Sequence, residues 1–314
     1  MLDAGDAEAV ADAFGLGAVI DFRGPVARGE VGQIWQLTAS SGTWAVKEAL
    51  GTAAVDDHNV STAFHDAAVS AGVLAPALHR TTGGLVSAPV GATVVRVFEW
   101  ADLRPPDIHM DVADVGAVLA RLHRVRFDGT SPPDPWFSEA VGAARWDELI
   151  ESLRTAVSRL ASRFARWRDE FVALEGWLAA PHELRMCHRD LWADNLRQTT
   201  SGMPCVIDWD NAGAADPSQE LAMVLFEFAS GDEHRARALV TAYRDAGGAG
   251  RVRDRGDFSM AITVLAHIAE HICRQWLAPG ATDAERRRAE WRFDEFDDRG
   301  LTRAVIEQLL DAVC

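Results

Sequence analysis

Apolar and polar positions in the first hundred residues carry strand and turn signals, and beyond them apolar positions recur mostly at helical spacing. Asp6 to Phe14 predicts a short amphipathic helix. The runs Val19–Phe22 and Ile34–Ala39 predict strands, joined through the glycine-bearing turn Arg28-Gly29-Glu30-Val31-Gly32. A Ser41-Gly42 turn leads into a third strand, Trp44–Leu50. Residues 56–71 predict a helix that ends at Gly72, a good helix stop because glycine accepts left-handed backbone. Short runs around Leu85-Val86 and over Val94–Trp100 predict two more strands, which makes a small five-stranded sheet with one main helix inserted.

The pattern changes at Ala101-Asp102-Leu103-Arg104-Pro105-Pro106-Asp107, where two prolines and their polar neighbours mark a hinge. Asp111–Val125 predicts a helix, the segment 128–137 a loop, and Ala143–Ala179 a long helical stretch. Two short strands, Leu184–Cys187 and Pro204–Asp208, bracket a polar loop, and helical periodicity covers most of Ser218–Cys314. No internal repeat or low-complexity segment interrupts this order.

At roughly 150 residues per domain, a 314-residue chain predicts about two domains. Its 31 Lys+Arg stand against 47 Asp+Glu, a net charge of -16, which argues against a nucleic-acid backbone as partner. The same charge favours solubility and steers cationic small molecules toward the protein. Four cysteines, Cys187, Cys205, Cys273 and Cys314, without CxxC spacing, suit a reduced, cytoplasmic protein. The acidic N-terminus lacks the pattern of a signal peptide, and no apolar run approaches the ~20 residues of a membrane span.

Chemistry concentrates in Cys187-His188-Arg189-Asp190-Leu191-Trp192-Ala193-Asp194-Asn195, followed by Val206-Ile207-Asp208-Trp209-Asp210. Phosphoryl transfer needs an aligned hydroxyl, a base beside it and metal ions that neutralise phosphate charge. Asp190 can accept the hydroxyl proton, while Asn195 and Asp208 supply the hard oxygen ligands that magnesium requires. Each of these alone is ordinary, since a loop Asp usually caps a turn, but H-R-D-L-x-x-x-N followed by I-D is specific. Upstream, Lys47 lies in a strand one hairpin after the glycine-bearing turn, where Gly29 and Gly32 would let backbone N–H groups approach phosphate oxygens.

Over about residues 20–230 the chain resembles the aminoglycoside phosphotransferase and choline kinase-like family, small-molecule relatives of the protein kinases. The resemblance implies an α+β, bilobal protein-kinase-like fold. It has a small antiparallel-sheet N-lobe over 1–98, a hinge over 99–106 and a larger, mostly helical C-lobe over 107–314, with nucleotide bound between the lobes. It gives Lys47 to the nucleotide phosphates, the backbone of Glu99 and Ala101 to the adenine edge, and Asp190, Asn195 and Asp208 to catalysis and metal; Leu122-His123 matches a pair common in the family. ATP (or GTP) and Mg2+ are the implied cofactors. Asp208-Trp209-Asp210 replaces the D-F-G of protein kinases and no A-P-E follows, as expected of an enzyme that is always assembled. The helix that normally pairs a glutamate with the lysine has none here; Ser61 falls near that place, and Asp57, His65 and Asp66 are the substitutes within reach.

The expected function is O-phosphorylation of a small-molecule hydroxyl, with an amine-bearing aminoglycoside or amino sugar favoured and antibiotic resistance the expected role. Choline, homoserine, macrolide or sugar kinase activity, or a nucleotide-binding pseudokinase scaffold, are the alternatives. Trp192, Glu227 and Glu270 are candidate substrate residues; Trp209 is a candidate pocket wall, and Asp210 either a second metal-side carboxylate or a structural acceptor. His267-Ile268-Ala269-Glu270-His271 spells a zinc-protease pattern, outweighed by a polar helix face. Asp232 and Glu233 fit solvated surface and Asp216 a helix N-cap. A monomer or homodimer, with no nucleic-acid or membrane partner, completes the expectation.

Overall fold

The computed structural model describes residues 2–3, 5–29, 32–50, 59–127 and 134–314. These divide into two units, Met1–Asp107 with Val125–Gly129 and Ala193–Ala212, and Ile108–Arg124 with Thr130–Trp192 and Gly213–Cys314. The fold is α+β, and among the described residues no helix is long and apolar enough to cross a membrane.

In the first unit, β1 (Val19–Arg28), β2 (Gly32–Ala39), β3 (Gly42–Ala49), β4 (Leu78–His79), β5 (Ala88–Val90) and β6 (Thr93–Glu99) form an antiparallel sheet of order β1-β2-β3-β6-β4, with β5 also on β6. Alternation puts Trp35, Leu37 and Ala39 of β2 on the buried face. The helix α1 (Asp6–Phe14) lays Ala7, Val10, Ala11 and Phe14, one helical stripe, into the same core and stops at Gly15, whose φ is 66°. Each fully buried side chain such as Phe14 or Leu37 contributes roughly 1.5–3 kcal/mol. The sheet has six strands among the described residues rather than the five expected. Leu78–His79 is too short to show alternation, and the strand expected at Leu85-Val86 forms at Ala88–Val90, directly before the turn into β6. The helix α2 (Asn59–Ser70) follows β3, and residues 56–58 of its expected start lie outside the described residues.

The second unit is mostly helical: α3 (Val112–His123), α4 (Ala143–Thr155), α5 (Leu160–Glu175), α6 (Pro217–Ala229), α7 (Glu233–Asp245), α8 (Ser259–Leu277), α9 (Asp283–Arg299) and α10 (Arg303–Val313). The single stretch expected over 143–179 is two helices. Val157 takes a left-handed φ of 55°, and the Ser158 hydroxyl accepts from Leu160 N–H where the second helix begins. A core of Trp146, Phe164, Phe171, Ile272, Trp276 and Phe293 joins α4, α5, α8 and α9.

The two strands expected around the polar loop do not pair with each other. In the second unit β7 (Arg185–Cys187) pairs with β10 (Gly213–Ala215), and in the first β8 (Leu196–Gln198) pairs with β9 (Pro204–Val206). Both ladders are three residues long, too short for sequence alternation to choose a partner.

Candidate active site

In the first unit Lys47 of β3 and Arg96 of β6 face each other in the antiparallel ladder, an arrangement of like charges that repels. The carboxylates that offset it come from the turn after β9. Asp208 leaves the strand with φ 57°, a left-handed conformation Asp tolerates better than most residues, and a 3-10 turn over Trp209–Asn211 follows. Lys47 Nζ lies 2.6 Å from Asp208 Oδ1 and 2.9 Å from Asp210 Oδ2, and Arg96 Nη2 lies 2.6 Å from Asp210 Oδ2.

Burial alone would lower the Lys47 pKa, but the charges of Asp208 and Asp210 overcome both burial and the repulsion of Arg96, and it is raised. Burial likewise pushes the Asp210 carboxyl up, and Lys47 and Arg96 more than reverse this, holding it well below the usual carboxylate range. The Asp208 side chain is 41% exposed and that of Asp210 16%, so Asp208 is the carboxylate open to a ligand. Asn195 reaches the same end of the β8–β9 hairpin: its carbonyl accepts from Ile207 N–H at 2.9 Å, one residue before Asp208.

The glycine-bearing turn closes with Gly29 N–H donating to the Gly32 carbonyl at 2.9 Å; Glu30 and Val31 lie outside the described residues. A Cβ at Gly32 would come within 3.3 Å of Lys47 Cε and 3.1 Å of the Glu48 carbonyl oxygen, so glycine leaves room for the lysine. In the expected hinge, Glu99 N–H donates to Ala77 and Trp100 N–H to Thr43, which ties this backbone to the sheet before it continues to Ala101.

Of the expected helix partners for Lys47, Asp57 lies outside the described residues and Asp66 binds Arg80 at 2.6 Å. His65 packs on Trp209, ring centroids 4.9 Å apart. Trp209 is buried against His65 and Phe64 of α2, which makes it core rather than an open pocket wall.

In the second unit, β7 delivers buried His188 and Arg189 and then half-buried Asp190. Arg189 has φ 63°, and its guanidinium lies over the Phe137 ring at 4.1 Å. A Cβ at Gly213 would land on that guanidinium. The Arg189 N–H donates to the carboxylate of Glu220, whose other oxygen meets His123 Nε2 at 2.7 Å. His123 Nδ1 meets the Tyr243 hydroxyl at 2.6 Å, and that hydroxyl accepts from Gly250 N–H at 2.8 Å. Burial raises the Glu220 carboxyl, but the His123 hydrogen bond, the charges of His123 and His188 and the Arg189 N–H bring it below its ordinary value. Burial raises the Tyr243 phenol. His123, Cys187 and Glu220 also form the one cluster of three metal-capable side chains among the described residues, yet both His123 nitrogens already have protein partners.

The candidate substrate residues all lie in the second unit. Trp192 is half-buried, Glu227 lies 3.5 Å from Arg299, and Glu270 is held by Arg145 at 2.9 Å and lies 3.6 Å from His267. His267 Nε2 lies 3.0 Å from the Glu139 carbonyl oxygen and its ring stacks on Trp136, so the histidine-rich face of α8 is occupied by packing and hydrogen bonds. Asp216 caps α6 through Ser218 N–H at 2.7 Å, and Asp232 caps α7.

Three features escaped the sequence pattern. Arg96 and Glu220 are silent without strand register and helix packing. Lys47, however, is the chain's single lysine among 31 Lys+Arg, and that signal stands in the sequence. Arginine occupies every other basic position, and lysine is kept where a compact point charge on a flexible stem meets two carboxylates.

The model of the phosphotransferase enzyme family matches residues 25–258. Viomycin phosphotransferase of Streptomyces vinaceus is 34% identical over 133 residues, which are 40% of this chain and 45% of that protein; the chain thus matches less than half the length of this curated relative. Among solved structures, spectinomycin phosphotransferase in complex with ADP and spectinomycin superposes with a TM-score of 0.69 at 13% identity, covering 99% of this chain and 98% of that one. An amicoumacin kinase in complex with AMP-PNP and Ca2+ gives 0.62 at 14% identity, covering 95% and 94%. At these identities the structures establish the shared fold.

Proposed function

The chain belongs to the phosphotransferase enzyme family, and from that premise we propose that it transfers the γ-phosphoryl group of ATP or GTP to a hydroxyl of a small, amine-bearing, antibiotic-like molecule in the cytoplasm. The observation that carries this proposal is the contact of Lys47 with Asp208, whose preceding residue, Ile207, donates its N–H to the Asn195 carbonyl.

The donor set fits Mg2+: Asp208 and Asn195 offer hard oxygens, and Asp208 is the open carboxylate. These two would hold the ion, which neutralises phosphate charge when bound. Lys47 binds the nucleotide phosphates, the Gly29–Gly32 turn covers them, and the backbone of Glu99 and Ala101 holds the base. Asp190 orients the acceptor hydroxyl and takes its proton as the oxygen–phosphorus bond forms and the bond to the β-phosphate oxygen breaks. Glu220, through the Arg189 N–H, holds the backbone beside Asp190. The -16 net charge and the similarity to viomycin and spectinomycin phosphotransferases support a cationic, antibiotic-like acceptor.

The test incubates purified protein with Mg2+ and labelled ATP or GTP against viomycin, aminoglycosides, amino sugars, choline, homoserine and neutral sugars. A mass gain of one phosphoryl group on an amine-bearing compound is the expected result. Nucleotide binding with no phosphorylated product from a broad hydroxyl panel would instead favour the scaffold.

A further inference from the structure

We propose that Asp210 is the positioning residue that holds Lys47 in this chain, taking the place of a helix carboxylate; the proposal rests on the phosphotransferase assignment for its catalytic meaning. Lys47 has two carboxylates within 3 Å, and they are not equivalent. Asp208 is the more exposed and the one with oxygens to offer a cation, and a carboxylate that turns to a divalent ion loosens its hold on an ammonium. Asp210 is more enclosed, and its Oδ2 is shared between Lys47 and Arg96 at 2.9 and 2.6 Å. Arg96 is the cross-strand partner of Lys47, so one carboxylate screens two directly opposed cations and fixes both against the sheet.

The helix still participates, at one remove. α2 has no glutamate over Asn59–Ser70, and its one acidic side chain, Asp66, pairs with Arg80. His65 and Phe64 of α2 clamp the ring of Trp209, and Trp209 lies between Asp208 and Asp210 in the chain. Packing of the helix on that ring sets the turn that presents Asp210. A lysine anchored in this way depends on side chains built into one unit.

The single lysine makes a direct test practical, because isotope-labelled lysine gives one set of signals from the full chain. In the nucleotide-free protein, an anchored ammonium keeps the two Cε protons of Lys47 inequivalent. They should stay so in Asp208→Asn and in Asp210→Glu, and should merge in Asp210→Asn. Inequivalence retained in Asp210→Asn, or lost in Asp208→Asn alone, overturns the proposal. If Asp210→Asn does not fold, the unaltered chain decides: transfer of magnetisation between the Lys47 Cε and Asp210 Cβ protons is expected, and its absence overturns the proposal. Calorimetry then reads function: Asp210→Asn should weaken Mg·ATP binding at least ~10-fold, with Asp210→Glu recovering most of the loss. A loss abolished by excess Mg2+ makes Asp210 a metal ligand and overturns the positioning role. If wild type binds neither Mg·ATP nor Mg·GTP, the phosphotransferase assignment fails while the lysine spectra still decide the anchor.

Discussion

Lys47 Nζ and Asp208 Oδ1 lie 2.6 Å apart although 161 positions separate them in the chain. The contact joins the strand cation and the open carboxylate, so each should matter to a different partner. Asp208→Ala should lower turnover at least ~10³-fold and abolish its dependence on added Mg2+. Lys47→Ala should lower it ~10²–10³-fold while leaving the metal requirement in place. Steady-state rates across a Mg2+ titration check both, and chelation of wild type with EDTA should stop the reaction until Mg2+ is restored.

Asp190→Asn keeps the shape of the side chain and removes its basicity. Turnover should fall ~10²–10⁴-fold with nucleotide affinity close to wild type by calorimetry. Normal turnover in this variant would mean that the proton leaves by another route.

Glu220 and His123 are both fully buried and 2.7 Å apart. Glu220→Ala removes one partner of a buried pair, for which a loss of roughly 3–5 kcal/mol is expected in denaturant unfolding. The pKa of Glu220 is lowered on folding from an ordinary 4.5, so its contribution is fully present above about pH 4.5 and fades as pH falls through the folded value. The stability gap between wild type and Glu220→Gln should therefore narrow below pH 4.5.

Gly32 leaves 3.3 Å between a would-be Cβ and Lys47 Cε, tight for an added group. Gly32→Val, with two further methyls, should displace the lysine and raise the KM for nucleotide ~10-fold, whereas Gly83→Ala, with the Thr81 hydroxyl at 3.8 Å, should leave it unchanged.

The net charge of -16 should act on acceptor capture. Between 0.05 and 0.5 M salt, kcat/KM for an amine-bearing acceptor should fall severalfold while kcat holds, because screening shortens the reach of the protein's field. A salt-independent kcat/KM would remove charge steering from the proposal.

Periodicity alone was enough for α1, α3 and β2, because each buries one face and its apolar residues repeat at the period of its own backbone, whereas β3 and β6 were legible as short runs bounded by turns. The spacing from His188 through Asn195 to Asp208 was likewise legible, since residues of one loop and the next strand keep their order in any fold. Strand partners were not. β7 and β9 look alike as short apolar runs, and only the folded chain sends one to β10 and the other to β8. The division of 143–179 into α4 and α5 rests on the left-handed Val157, a residue whose type argues against that conformation. The partners of Lys47 were beyond any local pattern. Arg96 lies opposite it by strand register and Asp210 reaches it through a turn packed on α2, so the charge balance around the chain's one lysine exists only where three distant segments meet.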